Sequence, residues 1–251
     1  MGMFASQVLW YPEVTSTNDV AVALAESGSA EGVVIAADAQ TTGRGRQGRS
    51  WASPAGVGIY ATVILRPPAD LAPMVPIAAG VAIAEGIEAA TGLGVRVKWP
   101  NDVFVEGPAG PRTDRKLAGI LAEGGTVPQG NSWVVLGFGI NVLPGAYPVD
   151  VAVRATSLEA ELGRPVERGL VLAECLTALW GRYEDLREGR GGAVIAAWRA
   201  RAASTFGRRV EWNHEGHMQQ GVAQDVDASG ALLVRTDAGV HRLISGEVRW
   251  I

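Results

Sequence analysis

The alternation of apolar and polar positions divides the chain into a long front part and a short tail. In the front part, apolar runs of strand length are interleaved with longer runs of helical length. EGVVIAADAQ, ending at Gln40, is rich in β-branched and small apolar residues and predicts a buried strand. GVGIYATVILRPP predicts a second, stopped at Pro67 and Pro68, which have no backbone N–H for a ladder. GVRVKWPNDVFV predicts two strands broken at Pro100, and KLAGILAEG and SWVVLGFGINV two more. Met74 to Ala90 is apolar nearly all round, the pattern of a helix buried on every side. In STNDVAVALAESG, Ser16 followed by Asp19 resembles a capping box, and Gly28 can end the helix. TSLEAELG, ERGLVLAECLTALWGRYEDLREG and GAVIAAWRARAA also read as helices.

From about Phe206 the texture changes to short alternating strands separated by SG and DAG turns. This predicts a small all-β module, a partly open barrel. The front part mixes helices and strands without strict βαβ alternation, which favours α+β over a doubly wound sheet. The expected organisation is an α+β domain over 1–203 and a β domain over 204–251.

Composition narrows the classes. A net charge of −4 argues against general nucleic-acid binding, where affinity comes mostly from Lys and Arg on phosphates. The single cysteine, Cys175, lies in an apolar helical run, so a buried thiol is expected; this usage fits a cytoplasmic protein. No signal peptide is visible, and the apolar stretch from Met74 contains Pro76, Glu85 and Glu88, so no membrane span is expected. Of 22 basic residues only Lys98 and Lys116 are lysines, which singles out both.

QTTGRGRQGRSW carries the spacing G-x-G-x-x-G at Gly43, Gly45 and Gly48. A Rossmann phosphate loop needs a helix directly after it, and RSWASPAGVGIYATV is not one. Arg44, Arg46 and Arg49 instead suit a glycine-hinged loop that closes over phosphate, because the guanidinium fork matches phosphate oxygens. Such a loop is expected to be mobile until ligand orders it. Lys98, Asn101 and Asp102 surround the break in VKWPNDV; Asn and Asp there make an Asx turn, or face a nucleotide and its Mg2+. Lys116 begins a strand, and Gly119 allows close approach. His214 and His217 lack a metal-ligand pattern and read as a surface hairpin.

Taken together, GRGRQGRSW, KWPNDV, KLAGI and GFGINV, in this order, resemble the biotin–protein ligases, the biotin–[acetyl-CoA-carboxylase] ligases. The resemblance covers essentially the whole chain and implies a class II synthetase-like catalytic domain with a mixed sheet, followed by an SH3-like β-barrel domain. It implies that ATP and Mg2+ activate biotin as biotinyl-5′-AMP, which then acylates a lysine of a biotin carboxyl carrier protein. It further implies that Ser16, Thr17, Asn18, Gln40, Arg44, Gly45, Arg46 and Lys116 bind biotin. Arg44, Arg46, Arg49, Trp51, Asn101, Asp102 and Asn141 would serve ATP and the adenylate, with Asp102 on the metal and Lys116 and Arg46 catalytic. A homodimer is implied as well. Because the catalytic pattern begins so early, no N-terminal DNA-binding domain is expected, and the segment 106–115 is expected to be a surface loop. Two other functions compete: a lipoate or octanoate ligase of the same fold, and a non-catalytic nucleic-acid-binding module.

Overall fold

A computed structural model describes residues 7–100, 102–107, 114–126, 132–145, 147, 149–214, 216–244, 246 and 248–251. The front part is built on a seven-stranded sheet in the order β1-β2-β3-β7-β6-β5-β4. These strands are β1 Val8–Val14, β2 Val34–Gln40, β3 Gly58–Leu65, β4 Arg96–Lys98, β5 Asp102–Val105, β6 Arg115–Thr126 and β7 Ser132–Asn141. Helix α1, Thr17–Glu26, connects β1 to its parallel neighbour β2, and the remaining pairs are antiparallel. The sheet is therefore mixed, as the resemblance implies.

Strand alternation sends successive side chains to opposite faces. On one face Val34, Ala36, Ala61, Val63, Phe138, Ile140 and Ile120 join the main core with α2, Val75–Thr91, α5, Arg168–Arg187, and α6, Gly191–Arg201. Helix α2 is apolar and long enough by composition to cross a membrane, yet it is buried here between the sheet and α5. Each large side chain so buried contributes about 1.5–3 kcal/mol, which fixes this face as the rigid one. Cys175 is fully buried in it, and burial pushes its thiol up to about 12, so it behaves as a small hydrophobe.

The opposite face is only half covered. Helix α1 lays Ala21 and Ala25 over Ile35, Ile64, Trp133 and Val135. Past α1 the floor turns small, at Gly137 and Gly139 on β7 and Gly119 on β6. This bare stretch is the base of a cleft.

The tail forms a five-stranded antiparallel sheet, order β11-β10-β9-β8-β12, from β8 Arg209–His214, β9 His217–Val226, β10 Leu232–Thr236, β11 Gly239–Leu243 and β12 Val248–Trp250. His214 and His217 face each other, exposed, at the β8–β9 turn, the expected hairpin. Trp99 Nε1 donates to the Gly230 carbonyl at 3.0 Å, and Arg199 pairs with Asp225 at 2.6 Å, so the module is fastened to the front part. Two short helices, α3 Val149–Ala152 and α4 Leu158–Leu162, lie between β7 and α5.

One strand escaped the sequence pattern. β1 lies at the sheet edge, its residues alternate between exposed and half-buried, and Pro12 argues against a strand. At an edge the missing N–H costs nothing. The capping box is also only half made. Ser16 Oγ accepts from Asn18 N at 3.3 Å, but the Asp19 carboxylate takes the Thr15 hydroxyl and Arg44 instead.

Candidate active site

The cleft, of about 2100 Å3, runs across the glycine floor from α1 to the tail module. At one end, short uncharged side chains hold one another. The Gln40 amide oxygen accepts from Thr17 N at 2.9 Å and from the Thr17 hydroxyl at 3.2 Å, while its nitrogen donates to Ser53 Oγ at 2.7 Å. Thr62 donates to Asn18 Oδ1 at 2.7 Å and lies 2.8 Å from Thr17 Oγ1. Ser16, Thr17, Asn18 and Thr62 are all buried, so these bonds are made in a low dielectric and fix the rotamers. Asn18 seats there because Gly137 has no side chain; a Cβ on Gly137 would stand 2.0 Å from Asn18 Oδ1.

The other end is charged. Lys116 Nζ lies 2.6 Å from Asp102 Oδ1, with both side chains about one-third exposed at 36% and 32%. An ion pair this exposed contributes under about 1 kcal/mol to stability, so folding alone does not account for its place in the cleft. Lys98 is tucked over the Trp250 ring at 5.1 Å, and burial lowers it to about 8, with Asp102 pulling the other way and Arg208 reinforcing the drop. Arg46 is half-buried; burial lowers it while Asp102 opposes, and a guanidinium remains charged throughout.

The arginine loop ties the ends together. Gly45 N donates to the Arg49 carbonyl at 2.7 Å and Trp51 N to the Gly43 carbonyl at 2.8 Å, closing a tight turn with Gln47 at φ +56°. Gly43 is required there, because a Cβ would meet the Trp51 carbonyl at 2.4 Å. Trp51 then lies on Gly119 and Gly139, which sit opposite each other, with Lys116 Nζ 5.3 Å above its ring. The close approach at Gly119 is thus made by an indole. The Trp51 N–H is buried without a hydrogen-bond partner among the described residues.

Ser16, Thr17, Asn18, Gln40, Arg44, Gly45, Arg46, Arg49, Trp51, Asp102, Lys116 and Asn141 therefore line one cleft, although they come from widely separated segments. Asn101 and residues 108–113 of the proline- and glycine-rich segment lie outside the described residues. Arg44 stands at the mouth of the uncharged end, on Asp19 at 2.8 Å and Glu123 at 2.9 Å. Asn141 donates to the Thr156 carbonyl at 2.9 Å, which makes it a wall of the cleft. Sequence reasoning missed Ser53, Thr62 and Glu123, and the tail residues Arg208 and Trp250. Glu123 alone had a signal, since it follows Gly119 and Leu121 at strand spacing.

Among the described residues no group of three or more His, Cys, Asp or Glu is placed to hold a metal. Mg2+ carried by a triphosphate needs only one or two carboxylates and keeps waters and phosphate oxygens as its other ligands. Asp102, partly exposed in the cleft, fits that requirement, with Lys116 sharing its charge.

Fold and cleft together define an acyl-ligase architecture, and the chain belongs to the Biotin/lipoate A/B protein ligase family, whose model matches residues 10–141. The model of the Biotin protein ligase C terminal domain matches residues 205–249. The chain is 34% identical over 241 residues to the biotin–[acetyl-CoA-carboxylase] ligase of Paracoccus denitrificans, covering 93% of this chain and 96% of that one. It is 30% identical over 250 residues to the bifunctional ligase/repressor BirA of Bacillus subtilis, covering 98% and 74% respectively. The solved biotin protein ligase from Aquifex aeolicus in complex with biotin and ATP superposes with a TM-score of 0.78 at 27% identity, covering 98% of this chain and 99% of that one.

Proposed function

We propose that the protein is an ATP-dependent biotin–protein ligase that forms biotinyl-5′-AMP and passes the biotinyl group to a lysine of a biotin carboxyl carrier protein. The observation that carries this reading is the convergence of the loop of Arg44 to Arg49, Lys98, Asp102 and Lys116 on one cleft whose far end is lined by the neutral polar side chains of Ser16, Thr17, Asn18 and Gln40. The uncharged end suits a cyclic urea, which brings a carbonyl and two N–H groups; Ser16, Thr17, Asn18 and Gln40 supply matching donors and acceptors. A lipoyl or octanoyl chain offers nothing to such a network, which favours biotin. The family membership and the net charge of −4 leave the nucleic-acid reading without support.

In the first step a biotin carboxylate oxygen attacks the α-phosphorus of ATP and pyrophosphate leaves. Two anions must meet, so the site has to neutralise repulsion and hold them in line. Lys116 does this between carboxylate and α-phosphate, and Arg46 does it from the loop above. Arg49 and Lys98 face the polyphosphate. Trp51, lying on Gly119 and Gly139, forms the floor beneath the adenylate. Mg2+, when bound, supplies charge neutralisation of the phosphates, with Asp102 as its carboxylate. In the second step the carrier lysine's neutral amine attacks the acyl carbon, AMP leaves with the acyl–oxygen electron pair, and the amine loses a proton.

The same proposal divides the chain into a catalytic domain over 1–203 and a C-terminal domain over 204–251, and places its work in the cytoplasm, where ATP is available. A homodimer formed through an open sheet edge fits β1, where Val8 and Trp10 are exposed. Labelled-pyrophosphate exchange into ATP tests the assignment: exchange that requires biotin, and is not supported by lipoate or octanoate, is expected. Exchange indifferent to biotin overturns it.

A further inference from the structure

We propose that Glu123 sets specificity at the uncharged end: its carboxylate dictates which way the Asn18 amide faces, so that the cleft offers an oxygen acceptor to an N–H of the ligand's cyclic urea. The inference rests on the biotin reading above and adds a residue to it. Strand register puts Glu123 on the cleft face of β6, past Gly119 and Leu121, opposite Val135. Its Oε2 accepts from Asn18 Nδ2 at 2.7 Å and from the Arg44 guanidinium at 2.9 Å. An ionised carboxylate only accepts, so it must meet the nitrogen side of the amide.

The second Nδ2 hydrogen points at the Leu121 carbonyl at 3.4 Å, so both donors are committed. Oδ1 takes one bond, from Thr62 at 2.7 Å, and a carbonyl oxygen has two acceptor positions. The remaining one belongs to a side chain that lines the cleft and is only 3% exposed. A ligand N–H completes it; an acid without an N–H leaves this second acceptor position empty and gains no bond from it.

Glu123→Gln tests this, because the new amide presents either an oxygen or a nitrogen and no longer dictates the Asn18 orientation. Pyrophosphate exchange on the full chain should show the biotin KM raised about tenfold or more, with kcat and the ATP KM within about twofold. Discrimination between biotin and an analogue methylated at a ureido nitrogen should shrink by a similar factor. Asn18→Asp alone sets two carboxylates against each other and should raise the biotin KM by about a hundredfold or more. Adding Glu123→Gln should recover most of that loss, since the introduced amide donates to the introduced carboxylate. An unchanged biotin KM in Glu123→Gln overturns the inference. So does a uniform fall in kcat and both affinities with a lowered melting temperature, or a double variant no better than Asn18→Asp. Wild-type protein is the control that separates the two ideas: if its exchange ignores biotin, the functional reading and this inference fall together. Biotin-dependent exchange with an indifferent Glu123→Gln removes this inference alone.

Discussion

At the uncharged end of the cleft, Ser16, Thr17, Asn18, Gln40, Ser53 and Thr62 hold one another through bonds made largely within the protein. At the charged end, Lys98, Asp102 and Lys116 come from strands at the sheet's far side, Arg46 from a loop, and Arg208 and Trp250 from the tail. The first end is preorganised and pays little to receive a neutral ring. At the second, burial lowers both Lys98 and Arg46 from their ordinary values, and in the proposed reaction a polyphosphate would offset that cost. In the proposed reaction the contrast separates recognition from chemistry: one end would select the acid, and the other would make its carboxylate reactive.

The largest blow to the charged end should be Lys116→Ala. Biotin-dependent exchange is expected to fall by about a hundredfold or more, as when a transition-state charge partner is lost, while the circular dichroism spectrum stays native. Retained exchange would move the chemistry elsewhere. Next in size is Gly139→Ala on the floor between the ends, where a Cβ would stand 2.4 Å from Trp51 Nε1. Displacing the indole should lower activity roughly tenfold and stability by about 1–3 kcal/mol in denaturant titration.

Thr62→Val probes the uncharged end alone. Removing the hydroxyl deprives Asn18 Oδ1 of a partner, so about 1–2 kcal/mol of stability and several-fold in biotin KM should be lost, with ATP KM unmoved. Equal changes in both KM values would break the division between the ends.

A smaller effect is a pH dependence of the charged end. Lys98 is charged below about 8 and loses its proton as pH rises through that value, so the ATP KM should climb a few-fold above it. Lys98→Arg should flatten that climb. Stability runs the other way: the folded-state value lies below the unfolded value of about 10.4, the unfolded chain binds more protons between them, and the penalty for burying Lys98 relaxes as pH rises. The least expected change is at Trp99→Phe, which removes the bond to Gly230 and should cost about 1–2 kcal/mol, a few degrees of melting temperature, with exchange nearly intact.

The sequence by itself determined the buried strands, because runs such as VVIAADAQ and VVLGFGI are apolar over strand length whatever surrounds them. It determined the all-round burial of α2 and the candidates among the glycines, arginines and lysines, since those residue types carry backbone freedom and charge locally. Only the tertiary structure decided that Gly119 and Gly139 carry Trp51, that Asp19 serves Arg44 instead of capping α1, that Thr62 and Glu123 hold Asn18, and that Trp250 lines the cleft. Those outcomes depend on strand register and on contacts between segments far apart in the chain, and no local period encodes them.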